Sequence, residues 1–387
     1  MKLLFDLIGT QLTRPYRYHG GSEYAKSLFH RLMQLPEAAG EVGALYLEQE
    51  AVDPELLGYE AAQYIPVQSP RDLEHLLTAG GWEHFYCCLP PLFSDVDFDK
   101  YDTRFFCTLH DVRLLEIIGD DYQRYYAANL GHYLKSILKP WFRNAFYRRY
   151  REQLAFLFRL QRAEIVTVSR YSQNAIRCHY PESRAPVHTL YPPPLDYWVR
   201  SGQASDLPGG LSPGSYYLLI NGDKWLKNNF RALQALDELY AKGLVSRPAA
   251  VVGLSAHHPF LKRLQRRSCF SVFGYLERND LENLFAHAYG FIYPSLIEGF
   301  GYPPLEAMKY GTPVLCAATS SLLEVYQDSA VFFNPYSISE ICNAVLRLEE
   351  VPDDDYAALR RTCREQFNHI QQLQTRDADR LIRLLLY

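Results

Sequence analysis

The 387-residue chain lacks any run of about 18 apolar residues, so the sequence predicts no membrane-spanning helix. It also lacks a CxxC pair among its eight cysteines, and Cys87 and Cys88 stand side by side in the apolar run "HFYCCL". That spacing argues against a zinc ribbon or a disulfide framework and for thiols in a reducing, cytoplasmic setting. An excess of one charge is missing too: 40 Lys and Arg against 44 Asp and Glu leave a net charge of −4. Nucleic-acid binders gather basic charge over a whole domain, so no nucleic-acid partner is expected. The opening "MKLLFDLIGT" has one Lys and no small-residue cleavage site, and it reads as a buried strand rather than a signal peptide.

What is present is apolar. Hydrophobic residues make up 48% of the chain and charged residues 22%, a balance that predicts a packed protein rather than disorder. Short β-rich runs ("KLLFDLIG", "ALYLE", "HFYCCL", "FFCTLHD", "IVTVS", "VHTLYP") alternate with helical patterns in the first half. The second half repeats the arrangement with "YYLLING", "AAVVGL", "FSVFGYL", "GFIYPS", "PVLCAA" and "AVFFNP". Near-continuous apolar strands separated by helices indicate parallel sheets covered on both faces. Residues 192–215, rich in Pro, Gly and Ser, are the linker candidate. The expectation is therefore α/β, with two doubly wound parallel-sheet domains, 1–195 and 196–387, facing a central cleft. The helical stretch at about 366–387 is free to pack on either. Ligands in such folds bind beyond the carboxyl ends of the strands.

One segment combines features that ordinary packing does not require. "EGFGYPPLEAM", residues 298–308, carries Glu298 and Glu306 with two glycines and two prolines between them. Gly299 and Gly301 let the backbone come close to a ligand, and Pro303 or Pro304 suits the first position of a helix, where a missing N–H costs nothing. That helix would stop at Gly311 and place Glu306 in its first turn. Two carboxylates beside free amides at a helix start suit sugar hydroxyls and phosphate. Taken alone, the spacing is better read as an ordinary helix-start acid, Glu306, and a surface loop acid, Glu298, because two-residue patterns often match by chance.

The wider context resembles a family. "YPSLIEGFGYPPLEAMKYGTPVLCAATSSLLEV" is similar to the donor-site signature of retaining nucleotide-sugar glycosyltransferases of family four, which adopt the GT-B fold of two Rossmann-like domains. "GGSEYAKSLFHRL", "TLHDV", "IVTVSRYSQNAI", "LLINGDKWLKNN" and "VFGYLERNDLENLFAHA" resemble that family's other landmarks, in order, over residues 1 to 335. The resemblance implies a hexosyltransferase that takes a nucleotide-sugar donor and a glycan or lipid-linked acceptor, with surface polysaccharide synthesis as its setting. It implies no cofactor and no metal, because cations neutralise the leaving phosphate. Lys227 and Lys224 stand in that position after Gly222, where the family more often shows an Arg. Glu298 would meet the transferred sugar, helped by the backbone at Gly299, Phe300 and Gly301, and Glu306 the ribose. Gly274, Tyr275 and Leu276 would hold the base. Gly20 and Gly21, just before the first helix, would face phosphate or acceptor, with Tyr16–His19 as a loop beside them. His110 would touch the reaction centre, while Asp111 either orients it or caps the next helix. Two rivals stay open: another GT-B chemistry, such as a glucan synthase or an epimerase, and a binding protein that keeps the fold without turnover.

A last segment is absorbed by none of this. Residues 135–163 hold eight Lys or Arg and one Glu, with Trp141, Phe142, Phe146 and Tyr147 interleaved. Such a segment fits an anionic membrane surface on the inner face. It fits equally a first-domain helix with buried aromatics and solvated arginines.

Overall fold

A computed structural model describes residues 2–11, 20–117, 119–127, 129–195 and 207–387. The expected loop Tyr16–His19 and residues 196–206 of the linker candidate lie outside them. Among the described residues two parallel sheets form, each within its own compact unit.

The first unit contains β1 (Leu3–Asp6), β2 (Val42–Leu47), β3 (Ala62–Val67), β4 (His84–Cys87), β5 (Arg104–Thr108), β6 (Ala163–Thr167) and β7 (Val187–Thr189). Their spatial order is β3-β2-β1-β4-β5-β6-β7, all parallel. β1 and β4 are buried along their whole length, as inner strands with helices on both faces require. β3 carries Pro66, which lacks a backbone donor and is tolerated because β3 lies at the sheet edge.

The second unit contains β8 (Tyr217–Leu219), β9 (Ala249–Val252), β10 (Phe270–Phe273), β11 (Gly290–Tyr293), β12 (Val314–Ala317) and β13 (Val331–Phe333). Their order is β10-β9-β8-β11-β12-β13, again all parallel. Strand order therefore reverses between β1 and β4 in one sheet and between β8 and β11 in the other. At such a switch point the loops leaving adjacent strands diverge and open a crevice at the carboxyl ends.

The units are not continuous in sequence. Unit one comprises residues 1–116, 147–199 and 371–387, and unit two comprises 117–146 and 200–370. Residues 117–146, which a division at the linker assigns to the first domain, thus group with the second. They are tied there by an ion pair between Asp120 and Arg231 at 2.7 Å. The Phe230 amide also donates to the Tyr126 hydroxyl at 2.8 Å, and the Arg231 guanidinium lies 3.7 Å from the Tyr122 ring centroid. The helix Asp353–Leu386 begins with three aspartates in its first turn, which favour a helix N-terminus. Its last part serves unit one: the Leu385 carbonyl bonds His84 Nδ1 at 2.8 Å, and Asp377 accepts from the Tyr191 amide at 2.9 Å.

The basic segment at 135–163 divides. Leu130–Leu138 is a helix, Lys139–Phe142 a 3-10 turn and Arg143–Ala155 a second helix. Tyr147, Tyr150 and Leu154 of the second helix pack on the core of unit one. None of the described helices is long and apolar enough to cross a membrane, and the eight cysteines are all free thiols.

Candidate functional site

The loops that leave β8 and β11 meet at the switch point of the second sheet. After β8 the chain turns at Gly222, where a Cβ would stand 2.7 Å from that of Leu254, so only glycine admits this approach to the loop after β9. A 3-10 turn, Trp225–Lys227, follows, and Asn228 takes a left-handed φ of 57° before the helix Asn229–Ala241. Asn228 is buried, and its amide donates to the carbonyls of Pro294 at 3.1 Å and Pro335 at 2.7 Å. The Leu296 amide donates to the Leu226 carbonyl at 2.8 Å. These bonds staple "DKWLKNN" to "YPSLIEG".

Stapling brings Lys227 and Glu298 together as an ion pair. Glu298 is 6% exposed, and a buried carboxylate is costly unless its oxygens are satisfied. Three donors converge on its Oε1: the Tyr293 hydroxyl at 2.6 Å, the Ser295 hydroxyl at 2.6 Å and the Lys227 ammonium. Lys227 Nζ also donates to the Tyr293 oxygen at 2.9 Å. Burial, reinforced by the Glu298 charge, pushes the Tyr293 hydroxyl far above the usual phenol range, so it remains a donor at any working pH. Lys224 is exposed on the same loop.

The backbone beyond Glu298 is held from the helix Ser320–Tyr326. The Glu298 amide donates to Ser320 Oγ at 2.9 Å, and Ser321 Oγ donates to the carbonyls of Glu298 at 3.0 Å and Phe300 at 3.2 Å. The Tyr326 hydroxyl donates to the Gly301 carbonyl. Gly301 has a φ of 97°, and a Cβ there would stand 2.6 Å from Leu322 Cδ2. Gly301→Ala is therefore expected to destabilise the chain by about 2 kcal/mol or more, combining left-handed strain with overpacking. An unchanged urea midpoint would show that the loop adapts and that glycine is dispensable.

Gly301 caps the helix Tyr302–Lys309, which corrects one expectation. The helix starts at Tyr302, so Pro303 and Pro304 are its second and third residues, and Glu306 lies in the second turn rather than the first. The left-handed glycine, not the prolines, sets the start. Glu306 consequently meets a different cluster from Glu298: it pairs with Arg278, the first residue of the helix Arg278–His287, and Arg278 also holds Glu282 at 3.0 Å. Burial pushes the Glu306 carboxyl above its ordinary range, against the pull of Arg278. Just before that helix lie Gly274, Tyr275 and Leu276. The Gly274 carbonyl accepts from the Gly253 amide at 3.1 Å, and Tyr275 is exposed.

In unit one, Gly20 and Gly21 are the first two residues of the helix Gly20–Met33 rather than a loop before it. Glycine is a poor helix former, which is why the sequence alone places the helix start after them. His110 follows the carboxyl end of β5, half-buried, its ring edge-on to Tyr24 with centroids 5.0 Å apart. Its carbonyl accepts from Ser172 Oγ at 3.1 Å. Behind it, Tyr86 and Thr108 hydroxyls bond at 2.7 Å and Thr108 reaches Tyr24 at 3.2 Å, a buried row at the end of the sheet. Asp111 accepts from the Arg113 amide at 3.0 Å and Nε at 2.7 Å, the geometry of a cap. Its carboxyl stays below the usual range because Arg113 outweighs burial.

No group of three or more His, Cys, Asp or Glu gathers to hold a metal ion among the described residues. The three Asp-x-Asp runs of unit one are engaged elsewhere. Asp95 and Asp97 pair with Arg71 and Lys100, Asp99 accepts from the Gln161 amide, and Asp377 and Asp379 hold the Tyr191 amide and Arg31.

Sequence reasoning missed Tyr293, Ser295, Ser320 and Ser321 as the frame of Glu298, and Arg278 as the partner of Glu306. A signal existed for two of them: Tyr293 and Ser295 close the run "FIYPS" just ahead of the motif. For the rest, the pairing depends on long-range packing.

Residues 216–366 match a profile of the family described as "Glycosyl transferases group 1", a range that contains Gly222, Lys227, Arg278, Glu298 and Glu306. This stretch is a group 1 glycosyltransferase domain. O-antigen chain mannosyltransferase B of Escherichia coli is 32% identical to the chain over 203 residues, which is 50% of this chain and 52% of that protein. The match thus spans about half the length of that curated relative. Over the whole chain the likeness is one of fold. Sucrose-phosphate synthase from Thermosynechococcus elongatus superposes with a TM-score of 0.69 at 14% identity, covering 99% of this chain and 98% of that one. HepE from Anabaena, solved in complex with UDP-glucose, gives 0.67 at 16% identity and covers 98% and 99%. The glycosyltransferase domain and the unit joined to it have the GT-B fold.

Proposed function

We propose that the chain is a retaining, metal-independent glycosyltransferase. It moves a hexosyl unit from a nucleotide-sugar to a glycan or lipid-linked acceptor in surface polysaccharide synthesis. The observation that carries the reading is the Lys227–Glu298 pair at the switch point of a group 1 glycosyltransferase domain. A mannosyl unit is favoured by the name of the Escherichia coli relative, and a nucleoside diphosphate by the UDP-glucose bound to the Anabaena protein.

In this reading Lys227 has two roles. Before the donor arrives its ammonium neutralises Glu298; with donor bound it turns to the diphosphate and stabilises the charge that grows there as the glycosidic bond breaks. Lys224 adds a second cation from the exposed side of the loop. Glu298, preset by Tyr293 and Ser295, accepts hydrogen bonds from hydroxyls of the transferred sugar, supported by backbone at Gly299, Phe300 and Gly301. Glu306 accepts from the ribose, and Gly274, Tyr275 and Leu276 line the base. By the family resemblance His110 is assigned to the reaction centre, and Gly20 and Gly21 to phosphate or acceptor. The leaving phosphate assists deprotonation of the acceptor, so no side-chain nucleophile is assigned. The cytoplasm supplies the donor, and the inner face of the membrane is where such an acceptor grows.

The test is a panel of UDP- and GDP-linked hexoses scored by thermal shift and slow donor hydrolysis. The true donor at a hundred times its Kd is expected to stabilise the protein by about 2.7 kcal/mol. Hydrolysis should persist in excess chelator, because Lys227 and Lys224 provide the positive charge that a divalent ion would otherwise supply. Complete loss of activity on chelation, restored by a divalent metal, would overturn the metal-independent reading. Failure of every nucleotide-sugar to stabilise the protein would overturn the donor reading.

A further inference from the structure

The helices Arg278–His287 and Tyr302–Lys309 are joined by a closed set of charges. Arg278 Nε holds Glu282 at 3.0 Å on its own helix, and its Nη1 pairs with Glu306 Oε1 on the other. Glu282 is bound in return from the far end of the Glu306 helix, by the Tyr310 hydroxyl at 3.0 Å and by Lys309 Nζ at 3.8 Å. Two carboxylates and two cations thus cancel within one cluster, as charges withdrawn from water require. A planar guanidinium shared between two carboxylates has its aim fixed by both.

The consequence falls on Glu306. Arg278 occupies its Oε1, and among the described residues nothing donates to its Oε2. The Glu306 side chain is 17% exposed, so that second oxygen is within reach of a ligand. An ionised carboxylate accepts through both oxygens, and one left to itself takes a ribose diol with one hydroxyl on each. Here only one oxygen is open. Burial and the Glu282 charge push the Glu306 carboxyl up, and Arg278 is the foremost group that pulls it down, ahead of Lys309. The pair also stands where a ribose is needed. Arg278 follows the base segment Gly274–Leu276 by two residues, and Glu306 lies on the helix that follows Glu298. It therefore links the element after the base segment to the element after the sugar carboxylate, as ribose lies between base and sugar in the donor.

We infer that Arg278 is a positioning residue that sets nucleotide selection: by occupying Oε1 of Glu306 it leaves Oε2 as the one carboxylate oxygen open to the ligand, so the domain recognises a ribonucleotide through a single ribose hydroxyl. The inference rests on the proposed assignment of Glu306 to the ribose. The hydroxyl donates and Oε2 accepts. A nucleotide that lacks this hydroxyl leaves the carboxylate oxygen without a partner, which is the costly case. A nucleotide that lacks the other hydroxyl loses nothing at Glu306.

The experiment is calorimetric titration of the full chain with UDP and GDP. Whichever binds more tightly is carried forward with its 2′-deoxy, 3′-deoxy and 2′,3′-dideoxy forms. Wild-type protein is expected to bind one monodeoxy form about tenfold to a hundredfold more weakly, as weakly as the dideoxy form, and the other as tightly as the parent. Arg278→Ala should bring the four affinities together at the dideoxy value, because the buried carboxyl then takes up a proton and loses its aim. A merely structural defect would instead weaken all four alike. Arg278→Lys, which returns a cation to Glu306, should restore the discrimination. Equal weakening of both monodeoxy forms in wild type would mean that Glu306 takes the whole diol; that overturns the inference and leaves Glu306 on the ribose. Wild-type discrimination retained in Arg278→Ala overturns it too. Wild-type protein that binds all four forms alike, or neither parent nucleotide, removes the ribose reading of Glu306 and this inference with it. The wild-type series decides by itself, so an Arg278→Ala chain that failed to fold would leave the inference open to refutation.

Discussion

Glu298→Gln is expected to lower glycosyl transfer by about a hundredfold or more while leaving the protein folded and able to bind nucleoside diphosphate. The glutamine keeps the size of the side chain and an acceptor for the hydroxyls of Tyr293 and Ser295, so the frame around it survives. What it removes is the negative charge that would meet the sugar. Glu298→Ala should be as inactive and less stable, because it leaves those two hydroxyls and Lys227 without their common acceptor in a buried place; one unsatisfied buried group costs about 1–3 kcal/mol. The measurement is initial transfer or donor-hydrolysis rate beside thermal shift with free nucleoside diphosphate. Near-normal turnover by folded Glu298→Gln would remove this carboxylate from the reaction.

Lys227→Ala has the second large expected effect, and it separates from the first by what it does to binding. A charge-assisted hydrogen bond contributes about 1.5–3 kcal/mol, so donor and free nucleoside diphosphate should both bind about tenfold to a hundredfold more weakly. Glu298 loses its cation in the same variant, so stability should fall as well. Because the two residues touch, the double variant Lys227→Ala with Glu298→Gln should be more stable than the sum of the single changes predicts. A coupling of about 0.5–3 kcal/mol is expected. Additive losses would mean that the pair is not a working contact. Unchanged diphosphate affinity in Lys227→Ala would move the phosphate role to Lys224.

The parallel-sheet architecture was legible because inner strands such as β1 and β11 are apolar on both faces, a pattern that a one-sided sheet does not produce. The carboxylate motif was legible because Gly301 and the two prolines are conformational instructions that a reader can follow locally. The start of the helix that carries Glu306 was expected one or two residues late for a related reason: a left-handed φ at glycine is a property of the fold, and the prolines alone allow either start. Arg278 was invisible as a partner of Glu306 because it reaches across from the helix after β10, and only the adjacency of packed elements brings the two together. Lys227 and Glu298 lie 71 positions apart and meet because β8 and β11 are neighbours, a fact of strand order rather than of spacing. The grouping of residues 117–146 with unit two could not be read from the linker, since it depends on aromatic and ionic contacts to Phe230 and Arg231.

The interleaving of the two units bears on how the chain is assembled as it is made. Residues 117–146 leave the ribosome long before β8 exists, so part of unit two must wait, solvated, for the partners that will hold it. Unit one in turn stays unfinished until residues 371–387 arrive to bond His84 and Tyr191. Early synthesis therefore yields no completed domain.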